Sequence, residues 1–184
     1  MNKHLFYGLI LLTINYSCAQ GNSQEIASAA IMQDSVYVGP THFSDEVVRD
    51  DALYSAIIRV DKQQDNAYVL SVQMNLKKNA YFVSPTENRH FSGKFAIVLS
   101  EPQKVLSRET ILESPLSKVD EKEGFVHLVR NNTNYKQTIK VLSAENFEVM
   151  GHIQFTIEPR CSLEKIPFIL TYENGKLRVR MDGC

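Results

Sequence analysis

The chain has almost no excess of charge of either sign: 20 lysines and arginines stand against 21 aspartates and glutamates, a formal net charge of -1. That balance excludes the broad positive field that gathers nucleic acid, and no nucleic-acid partner is expected. No uncharged apolar run exceeds the stretch 5–14, which is too short to span a bilayer. Cys-x-x-Cys and His-x-x-x-His spacings are missing, so neither a metal site nor a cofactor is expected. No serine sits in a Gly-x-Ser-x-Gly elbow, and no long amphipathic helix, internal repeat or low-complexity tract is present. What is there suits an ordinary folded domain: 184 residues, 43% hydrophobic and 22% charged, with eight glycines and six prolines. That length holds about one domain and excludes a large multidomain enzyme.

The first residues read as an address. Met1-Asn2-Lys3-His4 is a short basic start, and the apolar run after it has the length of a secretory h-region. Two exits follow. Ser17-x-Ala19 places small residues where a type I signal peptidase reads, giving a signal peptide 1–19. Ser17-Cys18 also resembles the end of a lipoprotein signal 1–17, after which Cys18 carries the lipid and tethers the chain to a membrane. Either exit leads out of the cytoplasm, to the periplasm or to the outer membrane. Residues 20–51, rich in Ser, Ala, Gln and Asp, read as a flexible arm, and 52–184 as the folded domain.

From residue 52 onward, short runs rich in Val, Ile, Phe and Tyr recur between Asn, Gly, Pro and Lys clusters, at 55–60, 68–76, 94–99, 125–129, 135–142, 147–157, 166–172 and 176–181. Strands so spaced, without amphipathic helices between them, predict an all-β antiparallel sandwich of the immunoglobulin-like kind. Residues 107–116 read as a short helical or irregular crossover. Asn174-Gly175 is the strongest local signal, because both residues tolerate the positive φ of a type I′ turn. A C-terminal hairpin on that turn pairs Glu173 with Lys176, Thr171 with Arg178 and Ile169 with Arg180 on a mostly polar face. Tyr172 then meets Leu177, Leu170 meets Val179 and Phe168 meets Met181 on an apolar one.

Two segments resemble a known family. Leu70 to Pro85, with Asn79-Ala80-Tyr81-Phe82-Val83-Ser84-Pro85 in place of a Gly-Trp-His-Ile-Tyr-Ser-Pro element, is similar to the N-terminal domain of the thiol:disulfide interchange protein DsbD, in the exported relatives of Bacteroidetes. So is the stretch from Tyr135 through Gly151-His152-Ile153-Gln154-Phe155-Thr156-Ile157 to Cys161 and Ile166-Pro167-Phe168. The resemblance implies an immunoglobulin-like sandwich, in agreement with the strand pattern. It also implies two nearby cysteines that exchange disulfides with partners, one thiolate attacking and the other resolving. Here only the later position is filled, by Cys161. The earlier one falls near Thr156 or Ile157, and Ser162-Leu163-Glu164 replaces the Pro-Pro that commonly follows.

With Cys18 cut off or lipidated, Cys161 and Cys184 remain for thiol chemistry. As a structural disulfide they close a loop of 22 intervening residues, worth about 3 kcal/mol in the chain-entropy model. As a catalytic pair they require Cys161 to attack and Cys184 to resolve, with Arg160 favouring the thiolate; separate free thiols or intermolecular bridges are the remaining readings. The hairpin register puts Cys184 opposite Lys165, so the two meet only if the 161–165 segment folds back. His42, His90, His127 and His152 read as surface or satisfied strand positions, and Tyr68, Tyr81 and Phe82 as core or core rim. Lys176, Arg178 and Arg180 form a basic stripe, either a contact face for anionic lipid headgroups or an acidic partner, or charge that guards an edge.

The function expected is a non-catalytic protein-interaction module in envelope thiol/disulfide or assembly processes, with a protein partner there. Beside it stand a thiol:disulfide oxidoreductase using Cys161 and Cys184, and a structural or adhesion surface domain.

Overall fold

The computed structural model describes residues 46–107, 110–124 and 126–181. The chain divides into two units, 1–38 and 39–184, and every described residue belongs to the second. Thirteen strands follow in order: β1 (Glu46–Asp50), β2 (Tyr54–Gln64), β3 (Ala67–Leu76), β4 (Phe82–Val83), β5 (Ala96–Leu99), β6 (Val105–Ser107), β7 (Leu112–Ser114), β8 (Lys118–Asp120), β9 (Val126–Val129), β10 (Thr133–Val141), β11 (Phe147–Ile157), β12 (Ser162–Glu173) and β13 (Lys176–Arg180).

Every pairing between them is antiparallel. One sheet runs β1-β2-β3-β10-β6, with β7 also on β10; a second runs β13-β12-β11-β5; a small third sheet runs β4-β9-β8. This is an all-β antiparallel sandwich with a C-terminal hairpin. Its cause is period-two alternation. Tyr54, Ala56, Ile58 and Val60 of β2 are buried while the residues between them are not, and Tyr68, Leu70, Val72 and Met74 repeat the pattern on β3. Val149, Ile153, Phe155 and Ile157 of β11 face them from the second sheet within the same core. Each of the large aliphatic and Phe side chains among them stabilises the fold by about 1.5–3 kcal/mol through removal from water.

The C-terminal hairpin has the expected register in full from Ile169–Arg180 to Glu173–Lys176, and Asn174 and Gly175 take φ of 52° and 74°. Its outer face is less solvated than expected: Ile169 and Thr171 are buried, and the Thr171 hydroxyl donates to Glu148 Oε1 at 3.4 Å. Buried tyrosine hydroxyls tie the layers together. Tyr68 donates to the Gly175 carbonyl at 3.0 Å and Tyr54 to Glu164 Oε2 at 3.2 Å. Phe82, Phe95, Tyr135 and Phe155 form an aromatic cluster, with Phe95 stacked on Tyr135 at 3.9 Å between centroids. Phe82 and Tyr68 are core residues as expected, while half-buried Tyr81 carries the Arg130 guanidinium 4.0 Å above its ring.

Two boundaries differ from the sequence reading. β1, Glu46–Asp50, lies inside the stretch read as an arm; three of its five residues are charged and only Val47 is buried, so no alternation announced it. The 107–116 crossover contains no helix among its described residues; β7 lies there, pairing with β10, and β6 pairs with β10 just before it.

Candidate functional site

Cys161 sits at the tip of the β11–β12 hairpin. The ladder stays in one register to its last pair, Ile157–Ser162, so the turn is only Glu158-Pro159-Arg160-Cys161. Cys161 closes it at a φ of 54°, in the left-handed region, with its side chain exposed. The segment 161–165 therefore does not fold back; Ser162 to Lys165 pair regularly with Ile157 to Gln154.

The electrostatics of this tip oppose a reactive thiolate. Cys161 Sγ donates to Glu158 Oε1 at 3.1 Å, and that hydrogen bond, with the carboxylate's charge, pushes the thiol above its ordinary 9.0. Arg160 was expected to favour the thiolate, and it does not. Its guanidinium is 2.8 Å from Glu164 Oε1 and 3.3 Å from Asp51 Oδ1, and its Nε donates to Ser162 Oγ at 2.8 Å. Burial works against the charge of Glu164, but the hydrogen bonds from Ser162, Arg160 and Tyr54 outweigh it and hold the carboxyl below its ordinary range. Burial, followed by the Glu164 charge, pushes Tyr54 up to about 12. The tip is thus a brace fastening β12 to the corner between β1 and β2.

The other expected site residues are dispersed. Cys184 and Cys18 lie outside the described residues, as does His42. Of the two positions where an earlier cysteine was expected, Ile157 is fully buried and the Thr156 N–H donates to the Gly93 carbonyl; Cys161 is the only thiol among the described residues. On β13, Arg180 Nη2 forks onto Glu148 at 3.0 and 3.2 Å, and neither Lys176 nor Arg178 is without a partner. The basic stripe is part of a mixed-charge face. His152 lies 3.4 Å from Gln154 on β11, and His90 is exposed.

Two buried acids escaped the sequence reading. Glu87 accepts the backbone N–H groups of Arg89 and His127, both at 3.0 Å, and lies 3.4 Å from His127 Nδ1. Those backbone bonds hold its carboxyl at about 2. Glu113 takes the Ser84 hydroxyl on Oε2 and the Ser117 N–H on Oε1 at 3.1 Å. β7 is thereby inverted, with Glu113 buried and its neighbour Leu112 63% exposed. An acid in Ile-Leu-Glu-Ser-Pro-Leu reads as solvent-facing, and nothing in its spacing signals otherwise. Beside it a cleft of about 490 Å³ is lined by Leu116, Val119, Leu128 and Arg130.

Glu87 makes folding acid-sensitive. Its folded value lies below the ordinary 4.5, so its stabilisation is complete above about pH 4.5 and fades as pH falls toward 2. Glu87→Gln is expected to lower the melting temperature at pH 7 and to flatten its decline across that window. Thermal melts at half-unit pH steps test this, and parallel curves for the two proteins would contradict it.

No family model matches the chain, and no curated protein matches it. Among solved structures it is similar to the GAE domain of GGA2p from Saccharomyces cerevisiae, at 8% identity and a TM-score of 0.39, covering 70% of this chain and 98% of that one. It is also similar to the yeast GGA1 GAE domain, at 7% identity and a TM-score of 0.39, covering 71% of this chain and 100% of the other.

Proposed function

We propose that this is a non-catalytic protein-binding module of the cell envelope, an exported relative of the DsbD N-terminal domain that keeps the sandwich and one family cysteine without a working dithiol. The observation that carries this reading is the state of Cys161: its proton is held by Glu158 and its neighbouring cation is committed to Glu164 and Asp51. Exchange needs a thiolate at neutral pH, and activated cysteines reach it by sitting beside uncommitted positive charge. Cys161 has the opposite setting. Export rests on residues 1–19, with tethering through Cys18 if the lipoprotein exit is taken.

Iodoacetamide kinetics test the reading. The alkylation rate of Cys161 is expected to keep rising past pH 9, and the protein to reduce no insulin disulfides beyond the rate of the added reductant. A rate that levels off between about pH 3.5 and 7.5, the range of activated cysteines, would return the domain to the oxidoreductases.

A further inference from the structure

The edges of the sheets are not equally guarded. β1 carries Glu46, Arg49 and Asp50; β8 carries Lys118 and Asp120; β13 carries Lys176, Arg178 and Arg180. Such charges are how sheets deter added strands. Of the uncharged edges, β4 and β6 are only two and three residues long, whereas β5, the edge of the four-stranded sheet, reads Ala96-Ile97-Val98-Leu99 and has neither a charge nor a proline. It pairs with β11 on one side; on the other no described strand forms a ladder with it, although the Phe95 N–H just before it donates to the Val83 carbonyl of β4 at 2.9 Å, so the open stretch begins at Ile97.

The register shows which of its backbone groups are open. Leu99 lies opposite Gly151, and the Ser100 N–H donates to the Met150 carbonyl at 2.9 Å, so Ser100–Met150, Val98–His152 and Ala96–Gln154 are the hydrogen-bonded pairs. The N–H and C=O groups of Ile97 and Leu99 then point away from β11. Their side chains are half-buried against the core, and Val98 between them stands 39% exposed on the outer face.

We infer that β5 is a strand-addition site, which accepts an extended peptide segment of a partner protein as a fifth strand beside β13-β12-β11-β5. This rests on the binding-module reading above and names its surface. The fitting segment is uncharged at its centre and apolar at alternate positions, so that main-chain bonds to Ile97 and Leu99 supply attachment and the half-buried rim supplies selectivity. A second copy of this chain is a poorer occupant. Four edge residues pair far less surface than the roughly 1,000 Å² a lasting dimer needs.

The test is to select random heptapeptides displayed on phage against the full chain, then to follow each recovered peptide by amide hydrogen exchange and on Val98→Lys. Recovered peptides are expected to slow exchange at the Ile97 and Leu99 amides and to bind Val98→Lys roughly tenfold more weakly, with the variant's melting temperature unchanged. Peptides that protect other amides and bind both proteins equally would overturn the edge assignment and leave the binding module standing. Recovery of no peptide would overturn both. Protection of Ile97 and Leu99 that grows with protein concentration alone would give the edge to a second copy and overturn the peptide partner.

Discussion

Complete alkylation of Cys161 in the oxidised native protein, with no intramolecular bridge to Cys184, is the expected result when thiols are trapped before reduction and the intact mass is measured. The reason is reach. Arg180 is paired with Ile169, and Ile169 lies eight residues along β12 from Cys161. Eight residues of strand span about 26 Å. Cys184 follows Arg180 by four residues, which extend at most about 14 Å. The shortfall is about 12 Å, whereas a disulfide needs Cα atoms within about 7 Å. Bridging would require β13 to unpair, with Leu177 and Val179 leaving the core in which both are buried. By the same argument Cys161→Ser leaves the melting temperature unchanged, while removal of a true staple lowers it by several degrees. An intact mass two protons short, with no alkyl group on Cys161, would refute the register as well as the prediction.

Gly151→Val is expected to yield little or no folded protein, and Gly151→Ala to lower the melting temperature by roughly 4–12 °C. Gly151 is buried on the inward face of β11. A Cβ there would stand 2.6 Å from Phe168 Cζ, 2.7 Å from Phe168 Cε2 and 2.9 Å from Leu99 Cδ2. Phe168 is 1% exposed in the close-packed interior, so its ring has no solvent to retreat into. Overpacking of this kind costs about 1–3 kcal/mol for a single methyl, at roughly 4 °C per kcal/mol in a domain of this size. The discriminating measurement is a double mutant. Gly151→Ala with Phe168→Leu should melt higher than the sum of the two single losses predicts, because each change relieves the other. Simple additivity would mean that the glycine serves backbone shape and not ring space.

Much of the fold was legible because one physical rule, alternation about a half-buried sheet, acts residue by residue. It placed β3, β11 and β13 to within a residue or two at each end, and Asn174-Gly175 set the hairpin register before any coordinates. The rule has nothing to act on in β1, where one residue is buried, or in β6, β7 and β8, where three residues make no period. Those strands exist because a tertiary partner, β2, β9 or β10, presents a ladder for them. The site was legible in name only. Cys161 and Arg160 are adjacent in sequence, which suggested a paired thiolate. What decides the chemistry is Glu158, which holds the thiol's proton, while Asp51, 109 positions from Arg160, and Glu164 across the turn take up the cation. Long-range charge pairing of that kind leaves no periodic trace.

The place of β3 beside β10 has a consequence for synthesis. β1, β2 and β3 form a meander that can assemble as soon as residue 76 has emerged, yet the second edge of β3 stays empty until its partner arrives from residues 133–141. Between them lie some fifty residues, none of which forms a ladder with β3. A chain made from its N-terminus therefore carries a half-finished sheet through that interval, with Tyr68, Leu70, Val72 and Met74 already lined up on one face and nothing to cover them. Closure waits on a distant segment, so folding is slow for the chain's size, and the nascent meander is the part a chaperone would have to hold.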